Sequence, residues 1–272
     1  MLETVIVNSS TDPAGSTIHN ELIQEFSFKE TGDFYEGLPV YSNNGMLLAT
    51  TPKQIVNVGS EIDDYFEREK TYVFISRHAA ESKIPSLTGH FTGNFGDETF
   101  GGKPRQIARY CPNMLKNYLK ELDSFRGEIP QEYNITLEAT HHGPTELVNP
   151  SMFVELGSSP ERWEDRRAAS FIASALIRSL SDKEVYSKCA IGLGGPHYSE
   201  KFNDLELKTD IALGPIVPKY ALQYLDQKMF DEIIGKSTQA VNLVALDSKG
   251  LGKEKQRILE LVTTSGLEIL KV

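Results

Sequence analysis

The fold is indicated by one stretch of the sequence, Ile135-Thr136-Leu137-Glu138-Ala139-Thr140-His141-His142-Gly143-Pro144. Its first part, Ile135–Ala139, is short and mostly apolar and is predicted as a strand. Two histidines, His141 and His142, follow shortly after it. Gly-Pro is a strong turn signal, so the strand ends there and both imidazoles lie at its carboxyl end. In open α/β sheets, ligands bind outside the carboxyl ends of the strands. The stretch therefore predicts a strand of such a sheet and a functional site at its end.

Apolar strands alternate with helical patterns along the rest of the chain. Asp12 and Pro13 carry the N-cap and first-position signals of a helix, and Ser159 precedes the longest helical pattern, Pro160–Leu180. Further strands are predicted at Thr4–Asn8, Met46–Ala49, Tyr72–Ser76, Met152–Leu156, Cys189–Leu193, Val241–Leu246 and Leu267–Lys271, and further helices at Pro112–Phe125, Ala221–Ile234 and Lys253–Thr264. This alternation indicates an α/β fold with a mainly parallel sheet.

The 272 residues suit one large domain, and no linker, low-complexity run or internal repeat divides them. We therefore expect a single domain over residues 1–272. The segment Lys83–Arg105 departs from the regular pattern, because it is rich in glycine and has no clear periodicity. Long irregular loops in compact domains are usually functional or disordered, and the three phenylalanines of this segment favour a functional loop.

Composition restricts the class of protein. The net charge of -10 argues against a general nucleic-acid-coating protein, since neutralising phosphates requires Lys and Arg. This charge does not exclude a nucleic-acid substrate held by a local basic patch, although each candidate patch is better explained as a solvated face. The candidate patches are Lys103, Arg105 and Arg109; Arg162, Arg166 and Arg167; and Lys249, Lys253, Lys255 and Arg257.

The expected compartment is the cytoplasm. No apolar run approaches the roughly 20 residues that cross a bilayer, so no membrane segment is expected. The N-terminal Met1–Val7 has no basic leader and is interpreted as part of the first strand. Cys111 and Cys189 lie far apart without CxxC spacing, which favours a reducing environment over a disulfide framework or a thiolate metal site.

Five of the six histidines lie near predicted strand ends or in the glycine-rich segment, each flanked by small residues. They are His78 after the strand Tyr72–Ser76, His90 in Leu87–Asn94, His141 and His142 in the opening stretch, and His197 in Gly194–Tyr198. Small neighbours let a substrate or metal approach the backbone. One histidine in such a context is usually a surface or core residue, but five together predict a shared site.

The same histidines suggest a metal. Imidazole is the commonest zinc ligand, and catalytic zinc usually takes three protein ligands and a water. No thiolate site or HExxH motif is present, so Glu138 and Glu155 are the candidate additional ligands. Metal-free acid–base histidines remain the alternative. Since adjacent strand residues point to opposite faces, His141 and His142 are not expected to bind one ion unless the strand has already turned.

His19 stands apart within the first predicted helix and is interpreted as an ordinary helix residue. The alternative is that His19 and Asn20, with the loop Asn8–Gly15, form part of a cleft wall. No GxSxG, P-loop or dinucleotide fingerprint appears. Gly192–Gly195 is glycine-rich, but Pro196 and His197 follow where a phosphate-binding helix would begin.

Taken together, the motifs resemble the archaeal and plant-type D-aminoacyl-tRNA deacylases. The segments that carry the resemblance are Ser76–His78, Leu87–Gly96, Glu138–Thr145, Glu155–Ser159 with Trp163, Gly194–Tyr198 and Pro218–Ala221. The resemblance covers nearly the whole chain. It implies a three-layer α/β/α fold with a mixed, mainly parallel sheet, phosphorylase/hydrolase-like and related to the core of peptidyl-tRNA hydrolase.

The resemblance also implies the activity. Family members hydrolyse the ester between a D-amino acid and the 3′ end of tRNA, which recycles the tRNA and removes D-amino acids. They depend on zinc, so we expect one or two ions per chain. The expected partner is the aminoacylated 3′ end of tRNA, with no role for DNA, and the expected state is a monomer.

On this resemblance we assign roles, while the division between metal ligands and proton carriers stays open. The predicted catalytic residues are His78, His142 and Glu138, and the predicted metal ligands are His90, His141, His197 and Glu155. The predicted substrate-binding residues are Arg77, Thr88, Gly93, Asn94, Gly143, Pro144, Tyr198 and Lys219. The glycine-rich segment would form the cleft rim, with Phe91, Phe95 and Phe100 either stacking on terminal bases or packing beneath the loop.

Two other functions compete with this hypothesis. One is a zinc amidohydrolase or exopeptidase acting on small peptides or acyl-amino acids, whose substrate would tolerate the acidic surface. Excess tRNA should inhibit a deacylase and leave this enzyme unaffected. The other is a non-catalytic metal- or RNA-binding module, in which alanine at His141 or His197 would weaken binding without removing any turnover.

Overall fold

A computed structural model describes residues 3–67, 69–97, 99–181 and 184–272, so Met1 and Leu2 of the predicted N-terminal strand and Glu98 of the glycine-rich segment lie outside it. The strands are β1 (Glu3–Ser9), β2 (Lys29–Tyr35), β3 (Leu38–Asn43), β4 (Met46–Thr51), β5 (Lys70–Ala79), β6 (Ser86–His90), β7 (Gly93–Asn94), β8 (Gln106–Ile107), β9 (Asn134–Leu137), β10 (Ser151–Ser158), β11 (Lys188–Leu193), β12 (Ile211–Val217), β13 (Leu243–Leu246) and β14 (Glu268–Lys271). The α-helices are α1 (Pro13–Phe26), α2 (Glu61–Phe66), α3 (Pro112–Ser124), α4 (Pro160–Trp163), α5 (Arg166–Ser181), α6 (Glu200–Lys208), α7 (Gln227–Gly235) and α8 (Lys255–Ser265). Within the described ranges, none of these helices combines the length and apolarity that crossing a bilayer requires.

Two main sheets form the framework. The first has the order β2-β3-β4-β1-β5-β10-β6-β9. Its centre, β4-β1-β5-β10, is parallel, whereas β6 runs antiparallel to β10 and β2 and β3 form an antiparallel edge. The second sheet, β12-β11-β13-β14, is entirely parallel. The predicted α/β class with a mixed, mainly parallel sheet is confirmed.

Alternation along the central strands places apolar side chains on both faces of the first sheet. On one face, Ile6 and Val73 join a large cluster with helices α1, α3 and α5 and with side chains of the second sheet, such as Ile191. On the other face, Phe74 and Phe153 join a smaller cluster that α2 covers. Fully burying one such side chain contributes about 1.5–3 kcal/mol, so both faces of the sheet stabilise the fold.

The predicted first helix is confirmed in detail, because Asp12 Oδ1 accepts a hydrogen bond of 2.8 Å from the amide of Gly15 at the start of α1. The prediction of one helix over Pro160–Leu180, capped by Ser159, was wrong. Ser159 makes no capping bond, and the segment divides into α4 and α5. Asp165 causes the division, since its Oδ1 accepts the amide of Ala168 at 3.0 Å and starts a new helix.

The predicted helix Ala221–Ile234 also begins later than expected. Leu222–Tyr224 forms only a 3₁₀ turn, and Asp226 caps α7 by accepting the amide of Met229 at 2.9 Å. As at Asp165, an acidic residue inside an apolar helical pattern ends one turn and caps the next helix.

Strand β6 was missed, because the segment that contains it was predicted as an irregular loop. Its five residues include Gly89, which is unfavourable in strands on average. A Cβ at Gly89 would lie 2.7 Å from Leu115 Cδ1 of α3, so the glycine lets helix and sheet pack closely without displacing Leu115. The glycine in β6 is thus explained by the packing of α3 against the sheet, which the local sequence does not show.

Glu206 of α6 is fully buried, and burial raises the pKa of its carboxyl from 4.5 to about 8. The folded chain holds this proton between those two pH values while the unfolded chain releases it. We therefore expect the free energy of unfolding to fall as pH rises from 4.5 to 8. The contribution of this one carboxyl to that slope approaches about 1.4 kcal/mol per pH unit.

Glu206→Gln keeps an acceptor for the amide of Leu213, which lies 2.7 Å from Glu206 Oε2, and cannot ionise. Urea unfolding of both proteins at pH 5, 6, 7 and 8 checks this expectation. The variant should show the shallower fall in stability. Parallel pH profiles for the two proteins would contradict it.

Candidate active site

The site occupies the second, more aromatic face of the first sheet, where polar side chains replace aromatic ones along the strands. On β5 the same face carries Phe74, then Ser76, then His78, and on β10 it carries Phe153 and Glu155. The register sets Glu155 beside Ser76 and opposite Thr88 of β6, and Phe153 opposite His90. Strand pairing therefore brings these polar groups together.

His78 lies between two buried carboxylates. Its Nδ1 is 3.2 Å from Glu155 Oε2 and 3.2 Å from Glu138 Oε1. Burial alone would lower the pKa of His78, but the hydrogen bonds and charges of the two glutamates raise it to about 10. Ser76 Oγ donates to Glu155 Oε1 at 2.8 Å and holds that carboxylate in place. The two carboxylates thus favour the imidazolium form of His78, whose Nε2 lies 2.9 Å from the hydroxyl oxygen of Tyr198.

Glu138 connects three parts of the site from a position just past the end of β9. It accepts a hydrogen bond of 2.5 Å from Thr88 Oγ1, faces His78, and lies 3.0 Å from His197 Nε2 through Oε2. Burial would raise the pKa of Glu138, but the bonds from His197 and His78 keep it well below its usual range. The residue is thus a buried carboxylate with a hydrogen-bonded partner on each side.

His90, His141 and His142 form a compact group. Each Nδ1 donates to a backbone carbonyl, at 3.1 Å for His90, 2.8 Å for His141 and 2.6 Å for His142. This arrangement fixes the tautomer of a ligating histidine and leaves its Nε2 free. Ligand atoms of the three residues lie within 4.8 Å of one another, close enough for one metal ion.

The backbone explains how two adjacent histidines reach the same point. His142 has a φ of 41°, in the left-handed region, so the chain has already turned after β9. The rings of His141 and His142 lie 4.3 Å apart. The condition set in the sequence analysis, that both could share an ion only if the strand had turned, is met.

The three histidines of this group differ in their pKa values. Burial and the nearby imidazoles hold the pKa of His141 well below its usual range and lower that of His142 to about 4, so both rings are neutral. Glu155, with Oε1 3.7 Å from His90 Nε2, raises the pKa of His90 in spite of its burial. The pocket therefore favours positive charge at a nitrogen that has no hydrogen-bond partner among the described residues.

A loop after β11 supplies the last part of the site. The amide of Ala139 donates to the carbonyl of His197 at 2.8 Å, which joins this loop to the segment after β9. His197 Nδ1 lies 3.1 Å from the hydroxyl of Tyr220, and its ring lies 4.7 Å from that of His141. Thr140 adds a second connection, because its amide donates to the carbonyl of Ile216 in β12 at 3.0 Å. The site therefore lies where the two sheets meet.

These groups surround a cavity of about 440 Å³, a size suited to a small ligand or the end of a larger one. His90 lies behind its wall. Phe100 is 65% exposed at the rim and lies edge-on to His142, with 6.3 Å between ring centres. The lining residues are Ser9, Thr11, Asp12, Gln54, Ile55, Val56, Ser76, Arg77, His78, Ala79, Phe100, Glu138, His141, His142, Phe153, Glu155, His197 and Tyr198.

All seven residues predicted as catalytic or metal-binding come together. Three groups among them have the geometry to hold a metal: His90, His141 and His142; Glu138, His141 and His197; and His78, Glu138 and Glu155. His142, predicted as catalytic, thus belongs to a group of potential ligands, and the predicted ligand Glu155 lies with His78 and Glu138. The division of roles among the seven stays a prediction.

The predicted substrate-binding residues occupy different positions. Arg77 and Tyr198 line the cavity, and Gly93 and Asn94 line an adjoining pocket beside Phe100. Lys219 lines a separate cavity on the far side of Tyr220.

The other three lie within the framework. Thr88 is fully buried and binds Glu138, and the carbonyl of Pro144 accepts from Thr92 Oγ1 at 2.6 Å. Gly143 lies against Gly102, so close that a Cβ on Gly143 would be 2.4 Å from the Gly102 amide nitrogen. These positions support the site without lining the cavity.

Other predictions can now be located. Asp12 of the loop Asn8–Gly15 lines the cavity, as the cleft-wall alternative required, but His19 lies outside its lining and packs edge-on against Tyr41. Phe91 and Phe95 are buried beneath the glycine-rich segment, which leaves Phe100 as its exposed phenylalanine.

Ser76 and Tyr220 were missed as site residues. Both lie inside segments quoted for the resemblance, and that was the available signal. Neither hydroxyl stands in a spacing that indicates catalysis, since each acts by contacting a residue distant in the sequence.

A family model described as D-aminoacyl-tRNA deacylase matches residues 65–270. The chain belongs to the D-aminoacyl-tRNA deacylase family. The resemblance inferred from the motifs is thereby confirmed. All seven histidines and glutamates of the site, from His78 to His197, lie inside the segment matched by the deacylase model.

Individual relatives agree. A D-aminoacyl-tRNA deacylase of Pyrococcus furiosus is 35% identical over 277 residues, covering 98% of this chain and 99% of the relative. One from Cenarchaeum symbiosum is 44% identical over 199 residues, covering 73% and 76%. The crystal structure of a conserved protein of unknown function superimposes with a TM-score of 0.90 at 29% identity, covering 98% of this chain and 94% of that chain.

Proposed function

We propose that this chain hydrolyses the ester between a D-amino acid and the 3′ end of tRNA with the help of a bound zinc ion. Family membership supports the substrate class. The observation that carries the metal is the group His90, His141 and His142, each with Nδ1 bonded to a carbonyl and Nε2 left free. The activity would return free tRNA and remove D-amino acids.

The donor set fits zinc. Three imidazoles are a common zinc environment, and thiolates are missing from the described part of the site. The unpartnered Nε2 of His90 lies where Glu155 favours positive charge, which a cation would satisfy. When bound, zinc would supply Lewis acidity toward an oxygen of the substrate or of water. His90, His141 and His142 would hold it, with His197 and Glu138 beside His141.

The chain's own groups can manage the protons of ester hydrolysis. Water adds its hydroxyl to the acyl carbon, the acyl–oxygen bond breaks, and the ribose oxygen takes the remaining proton. Tyr198 lines the cavity and its hydroxyl is 2.9 Å from the Nε2–H of His78. Tyr198 can donate to the leaving oxygen while His78 replaces its proton, as general acids do, and the proton that the attacking water loses then restores His78. Glu138 and Glu155 hold His78 in the charged form required for this.

We further propose that the chain works as one domain, since residues of both sheets join one hydrophobic cluster and both supply site residues. Its partner would be the aminoacylated 3′ end of tRNA. A cavity of about 440 Å³ suits the end of a large ligand, so the rest of the tRNA would lie along the surface outside it.

The decisive assay follows hydrolysis of D-Tyr-tRNA and L-Tyr-tRNA by purified protein whose metal content has been measured. We expect the D-ester to be cleaved at least about 100-fold faster, a difference of about 2.7 kcal/mol between transition states. Removal of metal by a chelator should abolish activity, and added zinc should restore it. Equal rates for the two esters would contradict the proposed selectivity for D-amino acids. Full activity in metal-free protein would contradict the proposed role of zinc.

A further inference from the structure

The three basic clusters found in the sequence have different surroundings in the fold. In the first, Lys103 pairs with Glu146 at 2.5 Å and Arg105 pairs with Asp226 at 2.6 Å. In the second, Arg162 pairs with Glu132 at 3.4 Å and Arg166 pairs with Glu21 at 2.6 Å. Carboxylates of the chain itself thus neutralise much of both clusters.

The third cluster keeps part of its charge, because Arg257 pairs with Glu254 but Lys249 and Lys253 form no ion pair within the described ranges. Lys249 and Lys253 line a cavity of about 880 Å³, and Lys219 joins them from the segment after β12. None of the three has an ion-pair partner within the described ranges. The two acidic residues of this cavity are both neutralised elsewhere: Asp247 binds Lys201 at 2.7 Å and Glu254 binds Arg257 at 2.9 Å.

This lysine cavity adjoins the active site. Tyr220 forms part of its wall, is 57% exposed, and places its hydroxyl 3.1 Å from His197 Nδ1. Another wall is bare backbone, because Gly195 and Gly250 approach so closely that a Cβ on Gly250 would lie 2.1 Å from the Gly195 amide nitrogen. Bare backbone permits close approach of a large ligand. A ligand extending from the active site past Tyr220 would therefore meet three free ammonium groups.

We propose that the lysine cavity binds phosphodiester groups of the tRNA acceptor end while the aminoacylated terminal nucleoside occupies the active site. This inference rests on the proposed function, because it takes tRNA as the substrate. Phosphates are the repeated anions of such a substrate, and unpaired lysines are the groups that neutralise them. Uncompensated positive charge beside the site, on a chain of net charge -10, is what an anionic chain leaving that site requires.

The test compares the triple variant Lys219→Ala/Lys249→Ala/Lys253→Ala with a control of equal charge, Lys29→Ala/Lys188→Ala/Lys271→Ala, whose exposed lysines lie outside the cavity. Each protein is assayed on D-Tyr-tRNA and on D-tyrosyl-adenosine, which has the ester and no phosphate. Binding of deacylated tRNA is measured separately by fluorescence anisotropy at several salt concentrations.

For the cavity variant we expect the ratio of kcat/KM on tRNA to kcat/KM on the nucleoside ester to fall about tenfold or more, mainly through KM. The slope of log Kd for tRNA against log salt should decrease by about two, since each contact to a single strand contributes about 0.7. The control should stay within twofold of the unmodified chain. A Lys219→Arg/Lys249→Arg/Lys253→Arg variant should retain the original ratio, which separates charge from damage to the fold.

Equal ratios and equal salt slopes for the cavity and control variants would overturn the inference. The anisotropy measurement does not require turnover. If the unmodified chain failed to cleave D-Tyr-tRNA, the proposed function would fail, while a loss of tRNA binding confined to the cavity variant would still support the phosphate site.

Discussion

Replacing His141 with alanine is expected to lower kcat/KM for D-Tyr-tRNA by about 10³-fold or more, a loss of at least about 4 kcal/mol of transition-state stabilisation. His141 belongs to two of the three groups that can hold a metal, with His90 and His142 and with Glu138 and His197. Its removal therefore damages both arrangements. Elemental analysis of the purified variant should also show zinc reduced from about one equivalent to a small fraction.

The matched control is His19→Ala. His19 lies in α1, outside both the cavity lining and the three groups that can hold a metal, and it packs against Tyr41. This variant should keep its zinc and its rate within about twofold. If the His141 variant retained full zinc and full activity under the same conditions, the assignment of the three-histidine group as a metal centre would be wrong.

Glu138→Gln is expected to lower kcat by about 10² to 10³-fold with a much smaller change in KM, as for loss of a group that supports proton transfer. Glutamine preserves size and one acceptor but removes the negative charge shared by His78 and His197. His78 would then depend on Glu155 alone for its charged form. Single-turnover hydrolysis of D-Tyr-tRNA measures the chemical step directly.

Two further variants calibrate this result. Glu132→Gln removes a charge that pairs with Arg162 at the surface and should leave kcat unchanged. Thr88→Val removes the hydroxyl that donates to Glu138 and should reduce kcat by an intermediate factor, about 10-fold to 100-fold, as for loss of a group that orients a site residue. A Glu138 variant with the kcat of the Glu132 control would contradict the role assigned to Glu138.

Much of the candidate site was predictable because its residues stand at interruptions of regular patterns. Gly143 and Pro144 indicate a turn after the predicted strand, and the histidines before them were expected at its carboxyl end for that reason, although β9 itself ends at Leu137. Which atoms face each other was not predictable. The convergence of His141 and His142 depends on a φ of 41° at His142, a local conformation that the residue names do not specify.

His90 shows a second limit. The prediction placed the site at carboxyl ends of parallel strands, which describes the positions of His78 and Glu155. His90 instead comes from β6, which runs antiparallel to β10 and sets the imidazole opposite Phe153, deeper on the face of the sheet. Gly89 obscured this strand, because the reason for the glycine is the helix packed against it. The position of His90 on a strand thus depends on tertiary packing, which local sequence patterns do not contain.

The division of Pro160–Leu180 has a similar origin. The apolar spacing predicts one continuous helix over this segment, with no break at Asp165. In the fold, Asp165 caps α5, and the break frees Trp163, whose indole N–H donates to the carbonyl of His78 at 2.7 Å. An interruption of secondary structure thus serves to position a residue of the site.

Ala139 and Thr140 donate backbone hydrogen bonds to the loop after β11 and to strand β12 of the second sheet. These bonds affect when the site can form during synthesis of the chain on the ribosome. A nascent chain that has emerged only through β10 already carries His78, Glu138 and His141, but it lacks His197 and the partner strand that steadies the turn. The complete site therefore forms only after the chain has been synthesised through β12. We therefore expect an incomplete chain to leave the aminoacyl-tRNAs near the ribosome unhydrolysed.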